Sequence, residues 1–128
     1  DLDWKGWWGD NPPYHVPTFI LTHHPRASIE MEGGTVFHFV TGGMHEALDR
    51  ARDSAREKDV RIGGGSATIQ QYLRAGLIDE LHVAISPILL GSGERLFEGL
   101  DMRALGYVCS QCVASDKATH VVLRRQGR

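Results

Sequence analysis

Long hydrophobic runs are missing from this sequence. No apolar stretch approaches the roughly 20 residues that cross a bilayer, and the opening residues carry no hydrophobic core of a secretory leader, so no membrane association is expected. Cysteine is scarce. Two residues among 128 cannot make a disulfide framework, and a reducing cytoplasm is the expected compartment. Excess charge is missing as well: a formal net charge of -2 offers no basic surface to nucleic acid, and no such partner is expected. There are no internal repeats and no low-complexity tracts. With 41% hydrophobic and 23% charged residues the composition is globular, and the length suits one core, hence a single domain over residues 1–128.

What the sequence does have is glycine, and three glycines stand together in Val60-Arg61-Ile62-Gly63-Gly64-Gly65-Ser66-Ala67-Thr68-Ile69-Gln70-Gln71-Tyr72-Leu73. Val60 and Ile62 are β-branched and predict the end of a short buried strand. Apolar residues return at Ile69, Tyr72 and Leu73 with helical spacing, and Ser66 and Thr68 are placed to cap the new helix. Strand, glycine turn and helix start together make an anion site, because unsatisfied N–H groups converge there and the helix dipole adds partial positive charge. The same three glycines also suit a tight turn that needs only positive φ. The stretch is neither G-x-G-x-x-G nor a P-loop with its lysine.

The remainder of the chain supplies context. Residues 1–17 hold Pro and Gly enough to exclude a helix or central strand, and so form a loop. Trp4, Trp7 and Trp8 fall within five residues of it. They either plug one end of the core or, with Tyr14, form a lid over a flat aromatic ligand. Residues 18–21 predict a strand, and Thr22-His23-His24-Pro25-Arg26 follows at its carboxyl end, where ligands of open α/β sheets bind. A hydroxyl donor and a bidentate guanidinium suit a phosphate monoester; a solvated polar turn has the same composition. His23 and His24 have no third ligand at metal-binding spacing, and no metal site is predicted.

A polar connection at 30–34 leads to a second strand at 35–40. A helix then starts at Thr41 or Gly42 and runs to about Lys58, with Met44, Ala47, Leu48, Ala51 and Ala55 on one face and a Glu46–Arg50 pair outside. The 60–62 segment is the third strand. The helix after it ends at Ala75 with Gly76 at C′. Residues 81–86 alternate as a fourth strand, Pro87 turns the chain into the apolar run Ile88-Leu89-Leu90, and strands at 107–113 and 120–124 close as an antiparallel hairpin around Ser115-Asp116-Lys117. Cys109 and Cys112, three apart in a strand, are expected on opposite faces, with no second pair for zinc. The pattern predicts an α/β fold with a mostly parallel sheet, flanking helices and a C-terminal antiparallel hairpin.

Ile62-Gly63-Gly64-Gly65 opening a helix, Gly76-Leu77-Ile78-Asp79-Glu80-Leu81, and Pro87-Ile88-Leu89-Leu90-Gly91-Ser92-Gly93 together resemble the dihydrofolate reductase-like superfamily. The closer match is the C-terminal reductase domain of the bifunctional riboflavin-biosynthesis deaminase/reductase and its stand-alone relatives. The resemblance extends from Pro17 to Arg124. It implies a three-layer fold, with 18–128 as the cofactor-binding core, and NADPH-dependent hydride transfer to a heterocyclic or ribosylamino-pyrimidine substrate. By resemblance Ile62, Gly63, Gly64, Gly65, Ser66, Ala67 and Thr68 hold the cofactor pyrophosphate, and Thr22, His23, His24 and Arg26 take the adenosine ribose and its 2′-phosphate. A turn with Arg and Thr and no carboxylate fits NADPH better than NADH. Trp7, Trp8 and Tyr14 are the candidate substrate contacts. The apolar 88–90 run, the C-terminal strand pair and the habit of relatives point to a homodimer.

The family begins with a strand and helix that carry much of the substrate pocket, whereas this sequence begins in the loop that normally follows them. It is therefore expected to be N-terminally incomplete, and no residue is identified as the catalytic proton donor. The alternative from another class is a non-catalytic nucleotide-binding module, or a fragment that requires a partner chain.

Overall fold

Two short apolar segments with β-branched and aromatic side chains, Pro-Thr-Phe-Ile-Leu and Val-Phe-His-Phe-Val, begin the regular structure. They form β1 (Pro17–Leu21) and, after a two-residue β2 (Ile29–Glu30) and a turn at Glu32–Gly34, β3 (Val36–Val40). The computed structural model describes residues 3–127, which fall into two compact units divided between Arg61 and Ile62.

In the first unit the sheet order is β1-β3-β2. β1 and β3 run parallel, from Pro17 opposite Val36 to Leu21 opposite Val40, and β2 is antiparallel to β3. Phe37 and Val40 are 0% and 1% exposed, so β3 carries the core. Helix α1 (Met44–Ala55) lies against β1 and buries Ala47 and Leu48. It is shorter at both ends than the expected span from Thr41 or Gly42 to about Lys58, and coincides with the extent of its apolar face, Met44 to Ala55. Gly43 at φ 96° precedes it, and Arg56 at φ 58° ends it while its N–H still donates to Arg52 O at 2.9 Å. Arg50, expected to pair with Glu46, has its guanidinium over the Phe19 ring at 5.3 Å. Phe19 in turn stacks on His38, its partner in the sheet register. The opposite side of the strand pair presents Phe37 and Phe39 to Trp4, with centroid separations of 5.9 and 6.0 Å.

The 60–62 strand does not form: these residues pair with no strand among the described residues. A strand exists only where a neighbour completes its ladder, and β-branched side chains do not supply one. The second unit therefore opens on the glycines and α2 (Ser66–Arg74). Its N-cap is Gly65, without a side-chain cap bond, rather than the predicted hydroxyls of Ser66 or Thr68. The other end agrees with expectation. Gly76 adopts φ 69°, its N–H donates to Leu73 O, and the Leu77 N–H donates to Tyr72 O, which is a Schellman closure.

β4 (Glu80–Ile85), β5 (Tyr107–Ala114) and β6 (Thr119–Arg125) complete the unit. Their order is β4-β6-β5, and both pairings are antiparallel. The described residues thus make an α/β protein with two three-stranded sheets and one parallel pairing, in place of the expected mostly parallel sheet. β4, expected to extend a parallel sheet, pairs instead with β6. A bulge in β5 corrects a second expectation. Cys109 pairs with Leu123 and Cys112 with Val121, so one extra residue puts both cysteines on the same face. Both are free and exposed. No helix among the described residues is long and apolar enough to cross a membrane.

Gly76→Ala is expected to lower stability by about 1–2 kcal/mol, the cost of a left-handed conformation for an L-residue. The new Cβ would also meet Arg125 Nη2 at 2.9 Å. Urea unfolding checks this, with Gly63→Ala, whose Cβ meets nothing within 4 Å, as the variant expected to leave the midpoint unchanged.

Candidate functional site

The turn that leads into α2 is open. Gly63, Gly64 and Gly65 are all exposed, and a Cβ built on any of them would meet no atom within 4 Å. Gly64 needs glycine for its φ of 111°. Gly63 and Gly65 have no such need, and nothing in the chain packs where their side chains would be. The first intrahelical bond of α2 is Ile69 N–H to Gly65 O at 3.0 Å, so the N–H groups of Ser66, Ala67 and Thr68 precede it and point out of the helix start. Such a turn admits an anion against bare backbone.

An anionic group of the chain already stands there. The Ser66 hydroxyl donates to Glu94 Oε2 at 2.5 Å, and Gln70 Nε2 donates to the carbonyls of Arg95 and Leu96 at 3.0 and 3.1 Å. The segment after Gly91 and Gly93 is therefore pinned along α2. Glu94 was not found from the sequence, since nothing there links positions 28 residues apart. Ile62 and Thr68 are half-buried and Ala67 exposed. On the inner side of α2, burial pushes the Tyr72 phenol above its ordinary value.

The second predicted group lies in the first unit, at the end of β1. The Thr22 N–H continues the sheet by donating to Val40 O at 3.1 Å, and the Thr22 hydroxyl accepts from the His24 N–H at 3.1 Å. These bonds fold the turn so that His23 and His24 are exposed. Arg26 turns inward. Its Nη1 donates to Trp4 O at 2.8 Å, and its guanidinium lies over Phe39 at 5.0 Å. The side chain expected to meet a phosphate thus anchors the aromatic loop.

That loop separates its three tryptophans by role. Trp4 packs on the sheet, with Trp7 edge-on to it at 4.9 Å. Trp7 and Trp8 remain 64% and 59% exposed, so their indole faces are available to a ligand, and Trp8 Nε1 donates to the Tyr14 hydroxyl at 2.9 Å. A shallow cavity of about 180 Å³ in this unit is lined by Lys5, Asp10, Ile29, Glu30, Met31 and Glu32. It is smaller than ligand pockets usually are and contains none of the predicted residues.

A family model described as the RibD C-terminal domain matches residues 2–122 of the chain. The chain is also similar to the uncharacterized protein YyaP of Bacillus subtilis (strain 168), at 37% identity over 65 residues, which is 51% of this chain and 34% of that protein. It thus spans about a third of the length of the curated relative it matches.

Arg26→Ala is expected to release the aromatic loop and cost about 2 kcal/mol, from one charge-assisted hydrogen bond and a cation–π contact in a part-buried setting. Tryptophan emission should shift to longer wavelength as Trp4 meets water. Unchanged emission and an unchanged urea midpoint would place the guanidinium elsewhere.

Proposed function

The chain belongs to the RibD C-terminal domain family, that of the reductase domain of riboflavin deaminase/reductase, and we propose that it acts as an NADPH-dependent reductase domain. The observation that carries this reading is the glycine turn. Three consecutive glycines face open space at a helix start, where the chain's own packing asks for glycine only at Gly64.

In this reading NADPH, when bound, supplies the hydride, and the protein supplies position and electrostatics. The backbone of Ile62, Gly63, Gly64, Gly65, Ser66, Ala67 and Thr68 holds the pyrophosphate. Ser66 exchanges its hydrogen bond to Glu94 for one to a phosphate oxygen, since two anions compete for one donor. The 22–26 turn takes the 2′-phosphate through Thr22, His23 and His24, with Arg26 contributing charge from behind while it holds Trp4. Trp7, Trp8 and Tyr14 give a flat heterocycle an aromatic face, which suits a ribosylamino-pyrimidine. The fold belongs to the same reading, an α/β domain of the dihydrofolate reductase-like type. A reducing cytoplasm suits the two free cysteines. No residue is assigned as proton donor.

A homodimer belongs to the same proposal. Ile88, Leu89 and Leu90 are 68%, 101% and 81% exposed beside Ile85 at 53%, a run of apolar surface that a second copy would cover.

Calorimetric titration with NADPH and NADH tests the cofactor assignment. NADPH is expected to bind with clear preference, and Gly63→Asp to weaken it at least about tenfold with the urea midpoint unchanged, since a carboxylate in the open turn repels the pyrophosphate without touching the chain. Unaltered NADPH affinity in the folded variant would remove the phosphate role of the turn, and no response to either dinucleotide would favour a module that depends on a partner chain. For the dimer, sedimentation at micromolar concentration should show two copies, and Leu89→Asp should return a monomer.

A further inference from the structure

The antiparallel pairing of β4 with β6 joins two histidines that are 38 residues apart. Ala84 stands opposite His120 and His82 opposite Val122, so the two imidazoles are diagonal neighbours on one face of the sheet. His82 Nε2 and His120 Nδ1 are 3.0 Å apart, both side chains are exposed, and the rings are inclined at 37° with centroids 5.2 Å apart. A single shared hydrogen bond is what this pair makes in the free chain, with one nitrogen the donor and the other the acceptor.

We propose that His82 and His120 form a two-histidine site for a divalent transition-metal ion, with Cu²⁺ preferred. The separation of the two nitrogens is the main argument. Metal–imidazole bonds of about 2.0–2.1 Å closing on nitrogens 3.0 Å apart subtend roughly 91–97° at the metal. That is the angle between adjacent ligands in the tetragonal geometry of Cu²⁺ and Ni²⁺, and it is narrower than the tetrahedral angle of Zn²⁺. The ring that donates the hydrogen bond moves its proton to its other nitrogen, and a turn of the two exposed rings then swings both lone pairs from each other toward the ion, with no net proton lost. Space and solvent favour the site: Ala84 opposite His120 ends at its Cβ, and the exposed face leaves the remaining coordination positions to water. The nearest carboxylate along β4, Glu80, is held at 2.9 Å by Arg124 and leaves the ion to the two imidazoles. Occupancy ties β4 to β6 by a bond stronger than the hydrogen bond it replaces, so it also stabilises the second unit. The site is independent of the reductase reading.

The test uses the full chain and the metal salts alone. Calorimetric titration is expected to rank Cu²⁺ above Ni²⁺ and Zn²⁺, with one Cu²⁺ site showing two nitrogen ligands by electron paramagnetic resonance and a rise in thermal midpoint on loading. His82→Gln and His120→Gln keep a cross-strand hydrogen bond and should fold. Each should weaken that site at least about tenfold, no less than loss of an outer-shell partner costs. The His23→Ala/His24→Ala double variant should retain it. Cu²⁺ binding that survives both glutamine variants, or that disappears when His23 and His24 are replaced, would overturn the proposal.

Discussion

The five residues that join α2 to β4 hold the second unit together, and they do so with their carbonyl groups. Gly76 O accepts from the Arg125 guanidinium, Ile78 O accepts from the Tyr107 hydroxyl at 2.5 Å, and Asp79 O accepts from the Arg125 N–H at 3.0 Å. Tyr107 begins β5 and Arg125 ends β6, so one short connection is bonded to two strands remote in sequence. Buried carbonyls must find donors, and here the donors come from the far end of the chain. This is what fixes the direction of α2, and with it the place of the open glycine turn.

The first unit rests on a different constraint, an aromatic seal. Phe37 is fully buried at the centre of its sheet because Trp4 and Tyr14 cover one side, and Arg26 fastens Trp4 from behind. A cation placed against a ring and a carbonyl does more for packing than for ligand binding. The turn after β1 consequently offers His23 and His24 outward, while its arginine serves the fold.

The proposed function requires the chain to hold a large anionic molecule against neutral backbone. The α2 turn has the electrostatics for that, and Glu94 at Ser66 shows one hydroxyl donor there occupied by the chain's own carboxylate. A polar group at a helix start lowers its energy with whichever anion is nearest. Under the proposed function Glu94 and a phosphate would compete for one hydroxyl, which would give the 91–96 segment a part in the site that its sequence does not announce.

Local signals were legible in the sequence because their causes are local. The strands at β1 and β3, the apolar face of α1, the glycine turn, the Gly76 stop and the hairpin around Ser115 all follow from side-chain period and backbone freedom over a few residues. The family resemblance added what spacing alone did not, by linking three motifs to one family. Pairing was decided by tertiary structure. Val60 and Ile62 have strand propensity but no ladder partner among the described residues, the bulge in β5 puts Cys109 and Cys112 on one face, and Arg26 leaves the turn for Trp4. His82 meets His120, and Ser66 meets Glu94, only because separate segments fold against each other. A sequence determines which groups are able to bond, but which of them meet depends on register and burial, and these are properties of the whole unit.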